Sequence, residues 1–418
     1  MRAPDRGRAA VAAAVGLALL TGSCAPPEPV LFTAPAPVSL DPEYRVGLLV
    51  NVHRATIGSG GGLRIEDPDE GDIRQLDAGA SFDAVTRGPD VALLDTRGAV
   101  SRPVLVIEPV DRTGTLRLNG RDYRGALELR RSDSGLTVIN RIPLEEYVAG
   151  VVGAELGQRA PGEMEALKAQ AIASRTYAIR NQGRWKQRGY DLASTTSDQV
   201  YAGEAADNSL AVTAAAATRG EILTWNGQPI DAFYFSTCGG RTEDGAAAFA
   251  GAARPYLHSI DDVDPSGTPW CAGSPRFHWT AGWTAGELAA TLRRTLPPEN
   301  LPTALASGVT DLRIIDRTRT GRVASLALAN RNGRVVITGQ AIRRVLSPAD
   351  GGPLRSADFT IRISRSGGRI ERVDIDGRGN GHAVGMCQWG AIGRARAGQD
   401  YRTILASYFP GTDIQRLY

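Results

Sequence analysis

The hydrophobic pattern of this 418-residue chain changes its period at Pro143, and that change sets the fold class. Between residues 44 and 140, short runs of Val, Leu and Ile alternate with polar residues and are separated by Gly, Asp and Asn, as in β-strands. From Pro143 onward, apolar residues recur at helical spacing. The pattern predicts an α+β fold in which a small N-terminal β-domain precedes a mixed α/β core.

The first helical segment, PLEEYVAGVVGAELG, carries a carboxylate in an unusual place. Val148 and Val151 belong to an apolar stripe, with Pro143 at the first turn and Gly157 at the end. Glu155 continues this stripe four residues after Val151. Because an unpaired buried carboxylate is costly, Glu155 either has a chemical role or, one turn from the helix end, simply reaches solvent.

A second helix is predicted over residues 161–182, with an acidic start and a basic end, as the helix dipole favours. Lys168 and Arg175 are seven residues apart and should share one face. Gln170 and Ser174 should lie on a neighbouring face. These side chains either line a binding groove or form an ordinary solvated surface.

Later segments complete the predicted domain organisation. Residues 209–219 favour a helix, and Asn226-Gly227 predicts the turn of a β-hairpin. The glycine-rich stretch GRGNGHAVGMCQWG does not open a Rossmann unit. The chain is therefore divided into a β-rich part at 44–140, a core with the helices at 141–275, an inserted α+β subdomain at 276–370, and the return of the core at 371–418.

Residues 1–24 have the pattern of an export signal. Three arginines precede an apolar stretch too short to span a bilayer, and small residues lead to Cys24. This resembles the lipobox of bacterial lipoproteins and predicts a lipid on Cys24, with simple secretion or an uncleaved anchor as alternatives. All three place the rest of the chain outside the cytoplasm, with residues 25–43 as a Pro-rich linker.

Three further cysteines, Cys238, Cys271 and Cys387, would lie in an oxidising compartment after export. We favour a Cys238–Cys271 disulfide, and the alternatives are free thiols or a metal site that includes His278 or His382. The spacings match no known zinc motif, so no metal and no other cofactor is assigned. The net charge of +3 comes without a basic patch, which gives no reason to expect nucleic-acid binding.

Four motifs resemble those of stage II sporulation protein D and the LytB amidase-enhancer proteins, in the same order. They are PLEEYVAGVVGAELG, PGEMEALKAQAIASRTYAI, FYFSTCGGRTED and GRGNGHAVGMCQWGA, followed by a closing SYFPGT. The resemblance extends from about residue 44 to the C-terminus. It implies a peptidoglycan lytic transglycosylase, which cleaves the β-1,4 bond between MurNAc and GlcNAc in denuded glycan and leaves a 1,6-anhydro end.

The same resemblance implies that Glu155 is the catalytic residue. One acid can suffice in such an enzyme, because the sugar's own C6 hydroxyl replaces the second carboxylate that ordinary glycosidases need. Glu155 would protonate the leaving oxygen and then accept the C6 hydroxyl proton. This role requires a raised pKa, which an apolar helix face favours.

Substrate contacts are also implied by the matched motifs. Lys168, Gln170 and Arg175 are expected to bind sugar hydroxyls or the lactyl carboxylate. A cation beside Glu155 would lower its pKa, so contact with substrate is preferred over contact with Glu155.

The loop motifs supply the remaining substrate-binding candidates, which are Ser236, Thr237, Gly239, Gly240, His382 and Gln388. Ala383 stands where the family has glycine, so this loop is distorted if the position needs a positive φ. For His382, a structural hydrogen bond to the backbone is the alternative role.

The implied partners are peptidoglycan strands, a cell-wall amidase and, through Cys24, the membrane. Two alternatives to an enzyme remain. One is a non-catalytic glycan-binding module that enhances an N-acetylmuramoyl-L-alanine amidase. The other is a scaffold protein that uses its β-rich part for contacts.

Overall fold

A computed structural model describes residues 41–95, 98–206, 209–349 and 351–418. The export signal predicted at 1–24, including Cys24, and most of the Pro-rich linker lie outside these residues. Within the described ranges, no helix has the length and apolar character needed to cross a membrane. Helices and strands are both abundant, and the predicted α+β class is confirmed.

Residues 43–143 form short strands, as their alternating pattern predicts. The strands are β1 Glu43–Val52, β2 Arg54–Gly58, β3 Leu63–Asp67, β4 Gly71–Leu76, β5 Ser81–Arg87, β6 Asp90–Asp95, β7 Gly98–Arg102, β8 Val104–Pro109, β9 Leu116–Leu118, β10 Arg121–Tyr123, β11 Ala126–Ser132 and β12 Gly135–Pro143. One sheet has the order β10-β9-β2-β5-β6-β7, and a second contains the order β1-β12-β11-β8-β3-β4.

Helices then pack together beside the second sheet. The elements are α1 Leu144–Leu156, α2 Met164–Arg180, β13 Leu192–Ala193, α3 Ser209–Ala217, β14 Glu221–Trp225, β15 Gln228–Pro229, β16 Tyr234–Phe235 and α4 Gly245–Ala248. Strand β13 pairs in parallel with β1. The predicted hairpin is confirmed as β14 and β15, and both turn residues, Asn226 and Gly227, have positive φ.

Helix α1 is the central helix of this part, because its side chains are buried on almost every side. It follows Pro143 and stops at Gly157, whose φ of 67° ends the helical path. The apolar stripe inferred from Val148 and Val151 is therefore part of a helix that is apolar nearly all round. Its core is continuous with that of the β-rich part.

The next segment has a hydrophobic core of its own, built from residues between 279 and 375. Its elements are β17 His278–Thr284, α5 Ala285–Thr295, β18 Asp311–Arg317, β19 Val323–Asn330, β20 Gly333–Thr338, α6 Ala341–Val345, β21 Phe359–Ser366 and β22 Arg369–Arg378. Two three-stranded sheets, β17-β22-β21 and β18-β19-β20, enclose the core. Thr284 and Glu287 form a capping box that starts α5.

The last segment returns to the helices. It contains β23 Met386–Cys387, α7 Gln388–Arg396, α8 Tyr401–Tyr408 and β24 Asp413–Arg416. Strand β23 pairs in parallel with β16, with Phe235 opposite Cys387, and β24 pairs with β14. These pairings bring Gln388, the first residue of α7, to the end of α1.

Candidate active site

Glu155 lies in the last turn of α1, and both of its carboxylate oxygens accept hydrogen bonds. The backbone N–H of Val200 donates to Oε1 at 3.0 Å, and Nε2 of Gln388 donates to Oε2 at 3.0 Å. Burial raises the pKa of Glu155, and the bonds from Val200 and Gln388, together with the neighbouring Tyr234 hydroxyl, only partly oppose this. The side chain remains partly accessible. This environment suits a general acid.

A buried polar network stands beside Glu155 and was not identified from the sequence. The Tyr234 hydroxyl donates to Oε1 of Gln199 at 2.8 Å, and Nε2 of Gln199 donates to the Tyr147 hydroxyl at 3.2 Å. The three residues come from separate segments, so their convergence leaves no local pattern. Tyr147 and Tyr234 lie inside the PLEEYVAGVVGAELG and FYFST motifs, whereas Gln199 lies outside the four motifs.

Gln170 supports the side chain of Gln388. It is fully buried, its Oε1 lies 3.4 Å from Nε2 of Gln388, and its own Nε2 donates to Oγ of Ser174 at 3.0 Å. Gln170 has no exposed surface in this structure, and its substrate contact stays a prediction. Gln170 helps to orient the amide that bonds to Glu155.

Arg175 has a structural role, and its side chain has no exposed surface. Its Nε and Nη2 donate to the two carboxylate oxygens of Glu145 at 2.8 and 2.7 Å. The remaining bonds go to the carbonyls of Glu221 and Ala215 at 3.0 and 3.2 Å. Arg175 therefore joins α1, α2, α3 and β14, and its substrate contact stays a prediction.

Lys168 is the more exposed of the two cations predicted to share a face. Its Nζ donates to Glu165 at 2.7 Å and lies 5.7 Å from the ring centre of Tyr401. Arg175 lies on the same face of α2, as the spacing predicts, but its side chain is buried whereas that of Lys168 is partly accessible. A substrate contact by Lys168 stays a prediction.

The FSTCGG loop is held in place by hydroxyl contacts and by two glycines with positive φ. The Thr237 hydroxyl is 3.1 Å from that of Ser236 and 2.8 Å from that of Ser274. Gly239 and Gly240 have φ values of 75° and 104°, which side-chain-bearing residues rarely adopt. Ser236 is partly accessible and remains a candidate for substrate contact, whereas Thr237 is buried.

His382 makes the structural hydrogen bond that was its alternative role. Its Nε2 lies 2.9 Å from the carbonyl of Tyr234, and the N–H of Val384 donates to its Nδ1 at 3.2 Å. Burial lowers the pKa of His382 to about 4, so the ring is neutral near pH 7. Ala383 does adopt a positive φ, of 69°, so this position carries the strain expected for a replaced glycine.

An open cleft of about 540 Å³ lies next to the network, with Tyr234 in its wall. Aromatic and charged side chains line it, including Tyr177, Asp198, Asp231, Phe233, Phe249 and His382. Aromatic faces beside polar groups are suited to sugar rings, which present both apolar faces and hydroxyls.

The three described cysteines are free and buried, so the favoured Cys238–Cys271 disulfide is not formed. Their sulfur atoms converge, and those of Cys238 and Cys271 are 3.4 Å apart. Asp262 lies with them, whereas neither His278 nor His382 belongs to the group. The histidines of the alternative metal site are thus placed elsewhere.

Comparison with known proteins places the chain in a family. A family profile described as "Stage II sporulation protein" matches residues 132–225, and a domain of unknown function matches residues 270–385. An uncharacterized protein of Brachyspira hyodysenteriae is 33% identical, with 71% of this chain and 73% of that protein covered.

Two Bacillus proteins are similar as well. Stage II sporulation protein D of Bacillus amyloliquefaciens is 36% identical over 66% of this chain and 75% of its own length. The amidase enhancer of Bacillus subtilis is 28% identical over 60% of this chain but only 38% of its own length. This chain belongs to the stage II sporulation protein D family.

Proposed function

We propose that this protein is a lytic transglycosylase that cleaves the glycan strands of peptidoglycan, with Glu155 as its acid and base. Family membership supports a cell-wall-related function. The observation that carries the finer proposal is the environment of Glu155, a carboxyl group with a raised pKa at the edge of the core. It is oriented through both oxygens and adjoins a polar network, whose member Tyr234 lies in the wall of an aromatic cleft.

In the first step, protonated Glu155 gives its proton to the glycosidic oxygen as the bond from that oxygen to C1 of MurNAc breaks. In the second step, the C6 hydroxyl of the same sugar attacks C1, and the Glu155 carboxylate takes its proton. The product has a 1,6-anhydro end, and the acid is regenerated. The side-chain amide of Gln388 can hydrogen-bond to Glu155 in both of its protonation states. Its Nε2 donates to the carboxylate, and its Oε1 can accept from the protonated acid.

The aspartates of the cleft support a mechanism with a single acid. The side chain of Asp198 has no exposed surface, and each of its carboxylate oxygens accepts two hydrogen bonds. The donors are Tyr177, Arg184, Trp185 and the N–H of Ala193. Asp231 is held by Arg180 and Arg254. Both aspartates are paired with arginines, whereas the partners of Glu155 are uncharged, which makes Glu155 the candidate for proton transfer.

The test compares two substitutions on one helix. Glu155→Gln and Glu146→Gln make the same chemical change, but Glu146 is exposed and lies outside the site. With denuded glycan strands as substrate, wild type and Glu146→Gln should release 1,6-anhydro products detectable by mass spectrometry. Glu155→Gln should lose activity by about 100-fold or more, as expected for loss of a general acid. Full activity of Glu155→Gln would refute the proposal.

The similarity to the amidase enhancer supports one alternative, a glycan-binding module that stimulates a cell-wall amidase. This function predicts binding to glycan without cleavage, together with faster hydrolysis by an added N-acetylmuramoyl-L-alanine amidase. Under this alternative, no anhydro product forms from denuded strands. The same incubations therefore separate the two functions.

We further propose that the protein acts outside the cytoplasm, anchored through a lipid on Cys24. The support is the sequence of residues 1–24, with its arginines, apolar stretch and small residues before the cysteine. Cys24→Ala should move the protein from the membrane to the soluble fraction. Unchanged membrane association of this variant would contradict lipidation at Cys24.

A further inference from the structure

Four buried side chains from distant parts of the sequence converge behind the FSTCGG loop. They are Cys238, Asp262, Cys271 and Cys387, and one ligand atom of each lies within 4.8 Å of the others. Each residue is at most 1% exposed. In a tetrahedral zinc site with Zn–S bonds of about 2.3 Å, two sulfurs are about 3.8 Å apart. The observed spacing is therefore close to that of a coordinated set.

The sulfur atoms are surrounded by donors in a way that suits thiolates. Backbone N–H groups of Cys238 and Gly390 donate to Sγ of Cys387 at 3.2 and 3.3 Å. The N–H of Gly240 donates to Sγ of Cys238 at 3.3 Å. A neutral thiol is a weak acceptor, so several N–H donors aimed at sulfur favour the charged form.

Burial disfavours a charged thiolate, so three thiolates in one fully buried pocket need a compensating positive charge. A bound cation would supply that charge.

The carboxylate of Asp262 is oriented toward the sulfur atoms by hydrogen bonds from neighbouring side chains. Arg394 bonds to its Oδ1 at 3.0 to 3.1 Å, and the Tyr408 hydroxyl lies 2.9 Å from both oxygens. Its Oδ2 faces the sulfurs, 3.2 Å from Sγ of Cys238. A side chain at Gly390 would come within 2.2 Å of this oxygen, so glycine permits the close approach. Such outer partners orient metal-binding carboxylates.

We propose that Cys238, Cys271, Cys387 and Asp262 bind one structural zinc ion. Zinc prefers tetrahedral sites rich in thiolate, and four protein ligands close its coordination shell. A Cys238–Cys271 disulfide would use two of the sulfurs but leave Cys387, its two N–H donors and the Asp262 oxygen without a common partner. The inference is independent of the proposed glycan cleavage, because metal content is measured without any substrate.

The site would have a consequence for Glu155. Cys387 directly precedes Gln388, and its strand pairs with β16, which carries Tyr234. Zinc would therefore join the FSTCGG loop, the segment around Cys271 and the start of α7 behind Tyr234 and Gln388, which both contact Glu155. Its role would be positional, since the ion would lie among fully buried side chains.

The direct test is elemental analysis of the full chain, purified without chelators in the presence of a reductant. We expect about one zinc ion per chain. Cobalt exchanged into the site should give thiolate-to-cobalt charge-transfer bands and the d–d bands of a tetrahedral ion. Metal-free protein in which Cys238, Cys271 and Cys387 are free thiols would overturn the proposal, as would an intact mass showing a disulfide among them in metal-free protein prepared without the reductant.

Variants assign the ligands. Cys271→Ser, Cys387→Ser and Asp262→Asn should each reduce zinc content by about fivefold or more under chelator competition. Two matched controls should retain it: Met386→Leu, a buried change beside Cys387, and His382→Gln, a change at the histidine outside the group. If a ligand variant does not fold, the wild-type measurement still decides the question. Equal zinc in ligand variants and controls would contradict this site.

Discussion

Replacing Arg175 with alanine should destabilise the folded chain and not simply weaken substrate binding. The substitution leaves Glu145 buried without its cation and frees the carbonyls of Glu221 and Ala215. Removing one partner of a buried ion pair costs about 3–5 kcal/mol. Arg175→Lys keeps the charge but not the two-pronged geometry, and should cost about 1–3 kcal/mol.

The assay is urea denaturation followed by tryptophan fluorescence, with Arg180→Ala as the matched control. Arg180 lies on the same helix, but its pair with Asp231 is 3.3 Å long and its side chain is 42% exposed. The control should therefore lose no more than about 1 kcal/mol. If Arg175→Ala keeps wild-type stability and only raises KM for glycan, the structural role assigned to Arg175 is refuted.

The same pair predicts a dependence on pH. Burial alone would raise the pKa of Glu145, but the bonds from Arg175, the Tyr418 hydroxyl and Gly220 lower it overall. A lowered pKa stabilises the folded chain above the unfolded pKa of glutamate, and this stability is lost as the pH falls through the folded value. The difference in the free energy of unfolding between wild type and Arg175→Ala should therefore become smaller as the pH is lowered.

Three further variants test other parts of the site. Gln388→Leu removes a bond that lowers the pKa of Glu155, so the basic limb of the pH profile for anhydro-product formation should move to higher pH; a shift to lower pH would contradict this. The raised pKa of Glu155 means that the wild-type protein loses stability as the pH rises from the unfolded pKa of glutamate, about 4.3, to the folded value. Glu155→Gln does not titrate, so its free energy of unfolding, measured by urea denaturation, should rise relative to that of wild type over this pH range. A gain that is independent of pH would count against a raised pKa. Ala383→Gly should raise the melting temperature or leave it unchanged, because relief of the φ of 69° offsets the added freedom of glycine in the unfolded chain. A marked fall in the melting temperature, measured by calorimetry, would show that Ala383 is unstrained.

Local signals allowed several features to be predicted from the sequence. Pro143 and Gly157 bracket α1, and Asn226-Gly227 turns the hairpin, because each acts through its own backbone preferences. Glu155 stood out as a carboxylate on an apolar stripe, and the family resemblance gave it a role. The α+β class followed from the change of hydrophobic period.

Features that depend on distant parts of the chain were not predictable in this way. The seven-residue spacing of Lys168 and Arg175 indicated one face, but α3 and β14 cover only the Arg175 end of it. Likewise, Val200 offers a backbone N–H, which has no signature in the sequence. The meeting of Asp262 with three cysteines depends on how four segments pack, and their spacing along the chain does not encode it.

The most direct test of the account is cleavage of denuded glycan by the wild-type protein in water enriched in heavy oxygen. A transglycosylase uses the C6 hydroxyl of the sugar as nucleophile, so water does not enter the product. We predict 1,6-anhydro ends that carry no heavy oxygen in the mass spectrum. Reducing ends labelled with heavy oxygen would show hydrolysis and contradict the single-acid mechanism assigned to Glu155.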